Sequence, residues 1–139
     1  FTAAHTVSLA LGALGFFTIP GSIVEPIIAA SIVYVAVENI FSPRMHAWRP
    51  LVVFGFGLLH GLGFASVLSE FGLPQGQFIP ALLGFNVGVE LGQLTVIAMA
   101  FLAVGLWFGR KGWYRPAIAV PASAVIALVG AYWFVERVI

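Results

Sequence analysis

Four histidine and glutamate side chains in the long apolar stretches of this sequence are the main candidates for chemistry. They are two histidines and two glutamates: His5, Glu38, His60 and Glu90. A charged side chain at the centre of a bilayer costs at least about 2.5–3.5 kcal/mol on insertion scales, so each one needs a partner, a water-filled cavity or a function. These residues are therefore the first candidates for chemistry.

Each candidate also has a structural interpretation. A histidine inside a membrane can simply bond a backbone carbonyl, and Glu38 can pair with Arg44 near a helix end. Glu90 is harder to explain in this way, because it lies deep in its apolar run. Asn86 precedes it by four residues and Gln93 follows it by three, so one helix stripe carries an amide, a carboxylate and a second amide.

The donor types of these residues are compatible with two kinds of chemistry. Imidazoles and carboxylates suit nickel, cobalt, zinc or copper better than calcium or magnesium. The same groups are also suited to a proton relay. Cysteine is absent, which excludes thiolate sites, and no H-E-x-x-H or H-x-x-E-H motif occurs. Spacing alone leaves metal binding and proton relay open.

The elements that must position these residues are transmembrane helices. Of 139 residues, 61% are hydrophobic and 8% are charged, whereas soluble proteins average about half apolar and a quarter charged. Cuts at proline, glycine and charge clusters leave five runs of the length that crosses a bilayer. We predict one all-α domain over 1–139, a polytopic transmembrane helix bundle with spans at about 1–19, 23–40, 51–71, 78–108 and 116–135.

Charge is distributed unevenly over the linkers. Basic residues are concentrated in linkers 41–50 and 109–115, and the linkers between the other spans contain none. The positive-inside rule predicts that both basic linkers are cytoplasmic. The net charge of +1 has no clustered basic face, which argues against a nucleic-acid partner.

This orientation predicts how deep each candidate lies in the membrane. We expect His5 and Glu38 to lie shallow on the cytoplasmic side, and His60 and Glu90 to lie near the middle of the bilayer. A polar track would then lead from the cytoplasmic surface to the bilayer centre.

Glycines at four-residue spacing in the third and fourth runs predict close packing of helices. They are Gly57, Gly61, Gly84, Gly88 and Gly92. Those of the fourth run lie about 200° around the helix from Asn86 and Glu90. We therefore expect the third and fourth helices to pack tightly and the fourth helix to be central.

Several blocks of the amino-acid sequence occur in the order found in a known family. They are FTAAHTVSL from Phe1, SIVYVAVEN from Ser31, FGFGLLHGLGFA from Phe54, GFNVGVELGQ from Gly84 and YWFVER from Tyr132. In these blocks, which extend over nearly the whole chain, the sequence resembles the HupE/UreJ family of bacterial membrane proteins. That family is grouped with hydrogenase and urease accessory proteins.

The resemblance implies a nickel-permease-like role in the bacterial inner membrane. It implies a transporter or accessory protein, rather than an enzyme, that supplies a divalent transition metal to hydrogenase- or urease-type enzymes. Nickel is expected first, with cobalt, zinc or copper as alternatives. The expected metal ligands are His5, His60 and Glu90, with support or gating from Glu38, Asn86 and Gln93.

The chain departs from the family pattern at its start. Family members usually carry an earlier helix with a His and an Asp-His pair, and often an extracytoplasmic region, so we expect further residues upstream of Phe1. Two other functions stay open: a metal-dependent intramembrane hydrolase, and a scaffold or proton-relay subunit of a larger complex. The metal, the direction of transport and the oligomeric state also stay open.

Overall fold

The structure is a computed structural model of the chain and describes residues 1–16, 19–42, 44, 46–70, 72 and 76–139. Every regular element among these residues is helical, which confirms the predicted all-α fold class. The helices are α1 Thr2–Ala13, α2 Gly21–Phe41, α3 Arg49–Glu70, α4 Phe78–Ala100, α5 Leu106–Phe108 and α6 Val120–Val138. A short π-helical segment precedes each of the last two helices: Phe101–Gly105 precedes α5, and Arg115–Ala119 precedes α6.

Four helical stretches of the described chain are long and apolar enough to cross a membrane. They are Gly21–Phe41, Arg49–Leu68, Phe78–Phe108 and Arg115–Val138. The third of them has 31 residues, about 46 Å at 1.5 Å per residue, and so exceeds a hydrocarbon core of about 30 Å. The predicted span ends at 17–18 and 71, and positions 43 and 45 of the first basic linker, lie outside the described residues.

The first predicted span, 1–19, contributes a short helix instead of a full crossing. Helix α1 has 12 residues, about 18 Å. It ends because Gly15 has a φ of +82°, a left-handed conformation that favours glycine. The N–H of Gly15 donates to Gly12 O and that of Phe16 donates to Leu11 O, both at 3.1 Å. This is the Schellman pattern that closes a helix.

Helices α1 and α3 run parallel and approach closely at two glycines of α3. A Cβ at Gly57 would lie 2.7 Å from the carbonyl oxygen of Phe1, and one at Gly61 would overlap Ser8 and the carbonyl oxygen of His5. Only glycine allows this approach of the two backbones. The contact also fixes the depth of α1, because His5 lies level with Gly61 near the middle of α3.

Helix α2 runs antiparallel to both α3 and α6 and packs between them. Gly63 of α3 lies against Val24 and Ile28 of α2, and Gly130 of α6 lies against Val33 of α2. From one edge of the described bundle to the other, the helices contact one another in the order α4, α1, α3, α2, α6.

Both basic linkers meet the C-terminal end of α2. Arg115 donates to the carbonyl oxygens of Asn39 at 3.0 Å and Ile40 at 3.1 Å. Arg49 donates to Asn39 Oδ1 at 2.6 Å. The last carbonyls of a helix have no partner within the helix, so arginine is well placed to cap them. The two basic linkers therefore lie at one end of the bundle.

Helix α4 lies at the edge of the described bundle, and the expectation that it is central is wrong. A Cβ at Gly84, Gly88 or Gly92 would meet no described atom within 4 Å. The packing reason is that α1 occupies the glycine face of α3 that we expected α4 to fill. Helix α4 instead contacts α1 through its polar stripe.

Candidate functional site

His5 lies in an aromatic pocket where α1, α3 and α4 meet, and its exposed fraction is 1%. Its ring stacks on Phe85 with the centroids 6.2 Å apart and on Phe1 at 6.0 Å. Phe64 meets it edge-on at 5.6 Å. Polar atoms buried among such rings need partners within the protein.

Asn86 of α4 supplies a partner for this imidazole. Its Nδ2 donates to the carbonyl oxygen of Leu82 at 2.8 Å, which turns Oδ1 towards α1. Oδ1 accepts from Thr6 Oγ1 at 2.9 Å and from His5 Nδ1 at 3.2 Å. Because an amide oxygen only accepts, Nδ1 of His5 carries the proton and Nε2 keeps the lone pair. That Nε2 is buried without a hydrogen-bond partner among the described residues.

His60 of α3 adopts the same tautomer through its own helix. Its Nδ1 lies 2.7 Å from the carbonyl oxygen of Phe56, four residues earlier. A carbonyl oxygen only accepts, so Nδ1 donates, and in the neutral ring Nε2 keeps the lone pair here too. The ring of Phe1 meets His60 edge-on at 5.3 Å and also stacks on His5. The two imidazoles thus lie beside the same aromatic ring.

Glu90 lies one helical turn after Asn86 and also faces α1. Its Oε2 accepts a hydrogen bond from Thr2 Oγ1 at 2.5 Å. Gln93, the third polar residue of the predicted stripe, instead lines a shallow groove with Val96. Asn86 and Glu90 therefore contact α1, and within the described part of the chain Gln93 bonds neither histidine.

Glu38 lies near the end of α2, apart from the histidines. It lines a groove with Tyr34 and Phe41. Both of its carboxylate oxygens are buried, and neither has a hydrogen-bond partner in the part of the chain that the structure describes. The alternative in which Glu38 pairs with Arg44 is therefore not found there.

Of the predicted site residues, the structure brings Asn86 and Glu90 against α1, which carries His5, and places His60 beside the same phenylalanine ring as His5. His5 is not shallower than His60, contrary to the expected depths, because α1 begins beside Gly57 and not at the end of α3. Over residues 1–16, 19–42, 44, 46–70, 72 and 76–139, no group of three or more His, Asp, Glu or Cys side chains is close enough to hold a metal ion.

Several side chains of this site were not singled out from the sequence. They are Thr2 and Thr6, which bond α4, and Phe64 and Phe85, which enclose His5. The threonines are four residues apart and share a helix face, so their spacing carried a signal. The phenylalanines carried none, because phenylalanine is frequent throughout the chain.

Comparison of the sequence with known protein families identifies the family of this chain. The profile of the family described as HupE / UreJ protein matches residues 1–137. The chain belongs to the HupE/UreJ family. HupE/UreJ proteins are a nickel/cobalt transport or accessory family, and with four membrane-length apolar helices this member is a multi-pass membrane protein. Searches of curated proteins and of solved structures gave no match.

The blocks on which the HupE/UreJ resemblance rests meet in space. The FTAAHT block forms the start of α1, and it contacts the HGLGFA block of α3 at Gly61. It contacts the FNVGVELGQ block of α4 through the bonds to Asn86 and Glu90. Three segments that are distant in the sequence therefore build one polar site around α1.

Proposed function

We propose that this HupE/UreJ member carries a divalent transition-metal ion, nickel first, across the bacterial cytoplasmic membrane for hydrogenase- or urease-type enzymes. Cobalt, zinc and copper are the alternative ions. The metal would bind among His5, His60 and Glu90, which are not grouped closely enough in the described structure to hold an ion and would have to approach one another as it binds. The two basic linkers would be cytoplasmic.

The observation that carries this proposal is the tautomer of the two histidines. Histidines that bind metals almost always donate their other ring N–H to an oxygen, which orients the ring and makes it a better ligand. His5 and His60 both do so through Nδ1, to Asn86 and to the carbonyl of Phe56. Each therefore keeps an Nε2 lone pair, the donor that borderline divalent metals prefer.

Glu90 adds a carboxylate on the neighbouring helix, which would balance part of the charge of a cation. Its bond from Thr2 holds it towards α1, the helix that carries His5. Asn86 orients His5 directly, so we propose it as the supporting residue of this set. The side chains of Glu38 and Gln93 make no hydrogen bond to these residues within the described part of the chain, and we propose gating as their role.

Uptake of nickel into membrane vesicles tests this function. We expect His5→Ala, His60→Ala and Glu90→Gln each to lower the uptake rate by at least about tenfold, the lower end for a lost metal-site residue. His46→Ala is the matched control, because His46 is an exposed linker residue that stacks on Trp48. It should leave uptake unchanged.

Two results would contradict the proposal. One is normal uptake in both His60→Ala and Glu90→Gln, and the other is nickel binding to the purified protein without any uptake. Assays of the same variants for cleavage of lipid or peptide, with and without a chelator, would detect an intramembrane hydrolase. Competition of nickel uptake by cobalt, zinc and copper ranks the ions.

A further inference from the structure

A half-open cavity of about 290 Å³ lies between α2, α3 and α6 near the C-terminal end of α2. Its wall is almost wholly apolar, although Ser31, Asn39 and His60 contribute to it. The Oγ of Ser31 is engaged by its own helix, since it donates to the carbonyl oxygen of Ile28 at 2.7 Å. We name this space the Asn39 cavity. Such a wall suits a hydrocarbon chain and offers few ligands to an ion.

The Asn39 cavity has nearly the depth of one lipid leaflet. Helix α2 lines it from Ser31 to Asn39, and at 1.5 Å per residue this lining spans about 12 Å. One half of a hydrocarbon core of about 30 Å has a similar depth. On the α6 side the cavity is bordered by Ile126, whose exposed fraction is 51%. An acyl chain of the surrounding bilayer can therefore reach it.

Two arginines meet at the polar end of this cavity, on Asn39 itself. Arg49 Nη2 donates to Asn39 Oδ1 at 2.6 Å, and Arg115 Nη2 donates to the carbonyl oxygen of Asn39 at 3.0 Å. Both arginines are half-buried. A guanidinium has five N–H donors, and these bonds engage only the Nη2 group of each. The two side chains therefore keep donors for a further acceptor.

The positive charge of these arginines is not balanced within the described part of the chain. No carboxylate there forms an ion pair with Arg49 or Arg115. Two like charges held on one residue repel each other, and an anion beside both relieves that repulsion. Phosphate oxygens match the fork of N–H donors of a guanidinium. The charge at this end of the cavity therefore favours a phosphate group.

A second cavity provides a comparison. It has about 310 Å³ and lies between the same helices near the N-terminal end of α2, and His60 lines both cavities. The arginine that lines it, Arg137, pairs with Glu25 at 3.1 Å. Of these two cavities, only the Asn39 cavity thus combines an apolar space of leaflet depth with unbalanced positive charge.

We propose that the Asn39 cavity binds one acyl chain of an anionic phospholipid, whose phosphate lies between Arg49 and Arg115. Basic pockets between transmembrane helices are known sites for anionic headgroups. The apolar wall accommodates the chain, and the arginines select the headgroup. The lipid fills the space between α2, α3 and α6. Its headgroup uses none of the proposed metal ligands, so the site can be tested whatever ion the protein carries.

Native mass spectrometry of the full-length protein tests the headgroup end. The protein in detergent receives equal amounts of phosphatidylglycerol and phosphatidylcholine with the same chains, which differ in net charge. We expect phosphatidylglycerol to be retained in preference. Arg49→Gln should lower the ratio of the two retained lipids about fivefold, the factor for one pair of unit charges about 4 Å apart in water. Glutamine keeps an N–H donor for Asn39, so the change removes mainly the charge.

Arg110→Gln is the matched control, because it removes the same charge from an exposed position of the second basic linker. It should leave the ratio of retained lipids unchanged. An equal effect of Arg49→Gln and Arg110→Gln would show diffuse attraction to the basic end and overturn the site. Equal retention of the two lipids by the unsubstituted protein would also overturn it.

A second pair of variants tests the chain. Val53→Phe places a larger side chain in the wall of the Asn39 cavity, and Val125→Phe makes the same change at a 60% exposed position of α6. We expect Val53→Phe to lose most of the retained phosphatidylglycerol and Val125→Phe to keep it. Retention in Val53→Phe equal to that of the unsubstituted protein overturns the binding of a chain.

Thermal unfolding in detergent separates the lipid from its headgroup. Phosphatidylglycerol should raise the unfolding temperature of the unsubstituted protein, and it should do so less in Arg49→Gln. Glycerophosphoglycerol, the same headgroup without chains, should not raise it. Equal stabilisation by the lipid and by the chain-free headgroup would show that a free phosphate compound suffices, and that result overturns the lipid site.

Discussion

The hydrogen bond from His5 to Asn86 determines which nitrogen of the imidazole is available. Asn86 is itself fixed by its bond to Leu82, and its Oδ1 serves both His5 and Thr6. One amide of α4 thereby orients two side chains of α1. At the scale of single residues, Asn86 is the position on which the geometry of the candidate site depends most.

Asn86→Leu should therefore impair both stability and metal binding. The change leaves the His5 N–H without its acceptor, which costs about 1–3 kcal/mol of unfolding free energy for a buried unsatisfied group, whereas the Thr6 hydroxyl can still donate to the carbonyl oxygen of Thr2. Nickel affinity should fall about 10–100-fold, as for lost partners of metal ligands. Thermal unfolding and equilibrium dialysis in detergent measure the two effects. Thr95→Val, at an exposed position of the same helix, is the control, and equal effects of the two variants would contradict the assigned role.

At the scale of helices, the contact between α1 and α3 depends on glycine at selected positions only. Gly61→Ala should lower the unfolding free energy by about 1–3 kcal/mol, because its methyl group would overlap Ser8 and the backbone of His5. Uptake should fall with it, since the shift displaces His5. Thermal unfolding in detergent and vesicle uptake measure the two effects.

Gly55→Ala is the matched control on the same helix. No described atom lies within 4 Å of a Cβ at Gly55. This variant should have unchanged or slightly raised stability, because alanine has the higher helix propensity, by up to about 1 kcal/mol. If Gly55→Ala destabilised the protein as much as Gly61→Ala, the parallel packing of α1 on α3 would be wrong.

The end of α2 is a second contact that can be tested at this scale. Arg115→Met should destabilise the protein by about 1.5–3 kcal/mol, the range for hydrogen bonds from charged groups, because two terminal carbonyls lose their donor. Arg110→Met changes an exposed linker residue and should have little effect. Chemical unfolding in mixed micelles would show the difference, and equal midpoints for the two variants would exclude the cap.

At the scale of the whole molecule, the structure places Arg49 and Arg115 of the basic linkers at one end, and the C-terminal end of α3 and the N-terminal end of α4 at the other. Ala47→Cys and Gly112→Cys should therefore react with an impermeant reagent from the cytoplasmic side only, and Gln77→Cys from the opposite side only. Labelling of intact and inverted vesicles checks this. Reaction of all three from one face would show that α3 and α4 do not each cross the membrane in opposite directions.

Reversal of all three labels would have a different meaning. The bundle would stand as described, and only the assignment of the basic linkers to the cytoplasm would be wrong. The two parts of the prediction are separable because the packing places the linkers together, whereas the positive-inside rule alone assigns their side.

The sequence by itself determined the helical membrane fold, the identity of the buried polar residues and the family. These are properties of local composition and of short motifs, and each can be recognised without knowing what packs against it. Even the early end of α1 was encoded locally by Gly15, although hydropathy, which averages over a window, does not detect it.

Only the tertiary structure decided which helices touch and how the site is oriented. Gly57 and Gly61 of α3 receive α1 while Gly84, Gly88 and Gly92 of α4 remain open among the described residues, although both sets have the same four-residue spacing in the sequence. The free nitrogen of His5 depends on Asn86, 81 residues away. His60 adjoins two cavities because α2, α3 and α6 meet there. Such features arise from contacts between distant residues, and side-chain packing in three dimensions alone selects them.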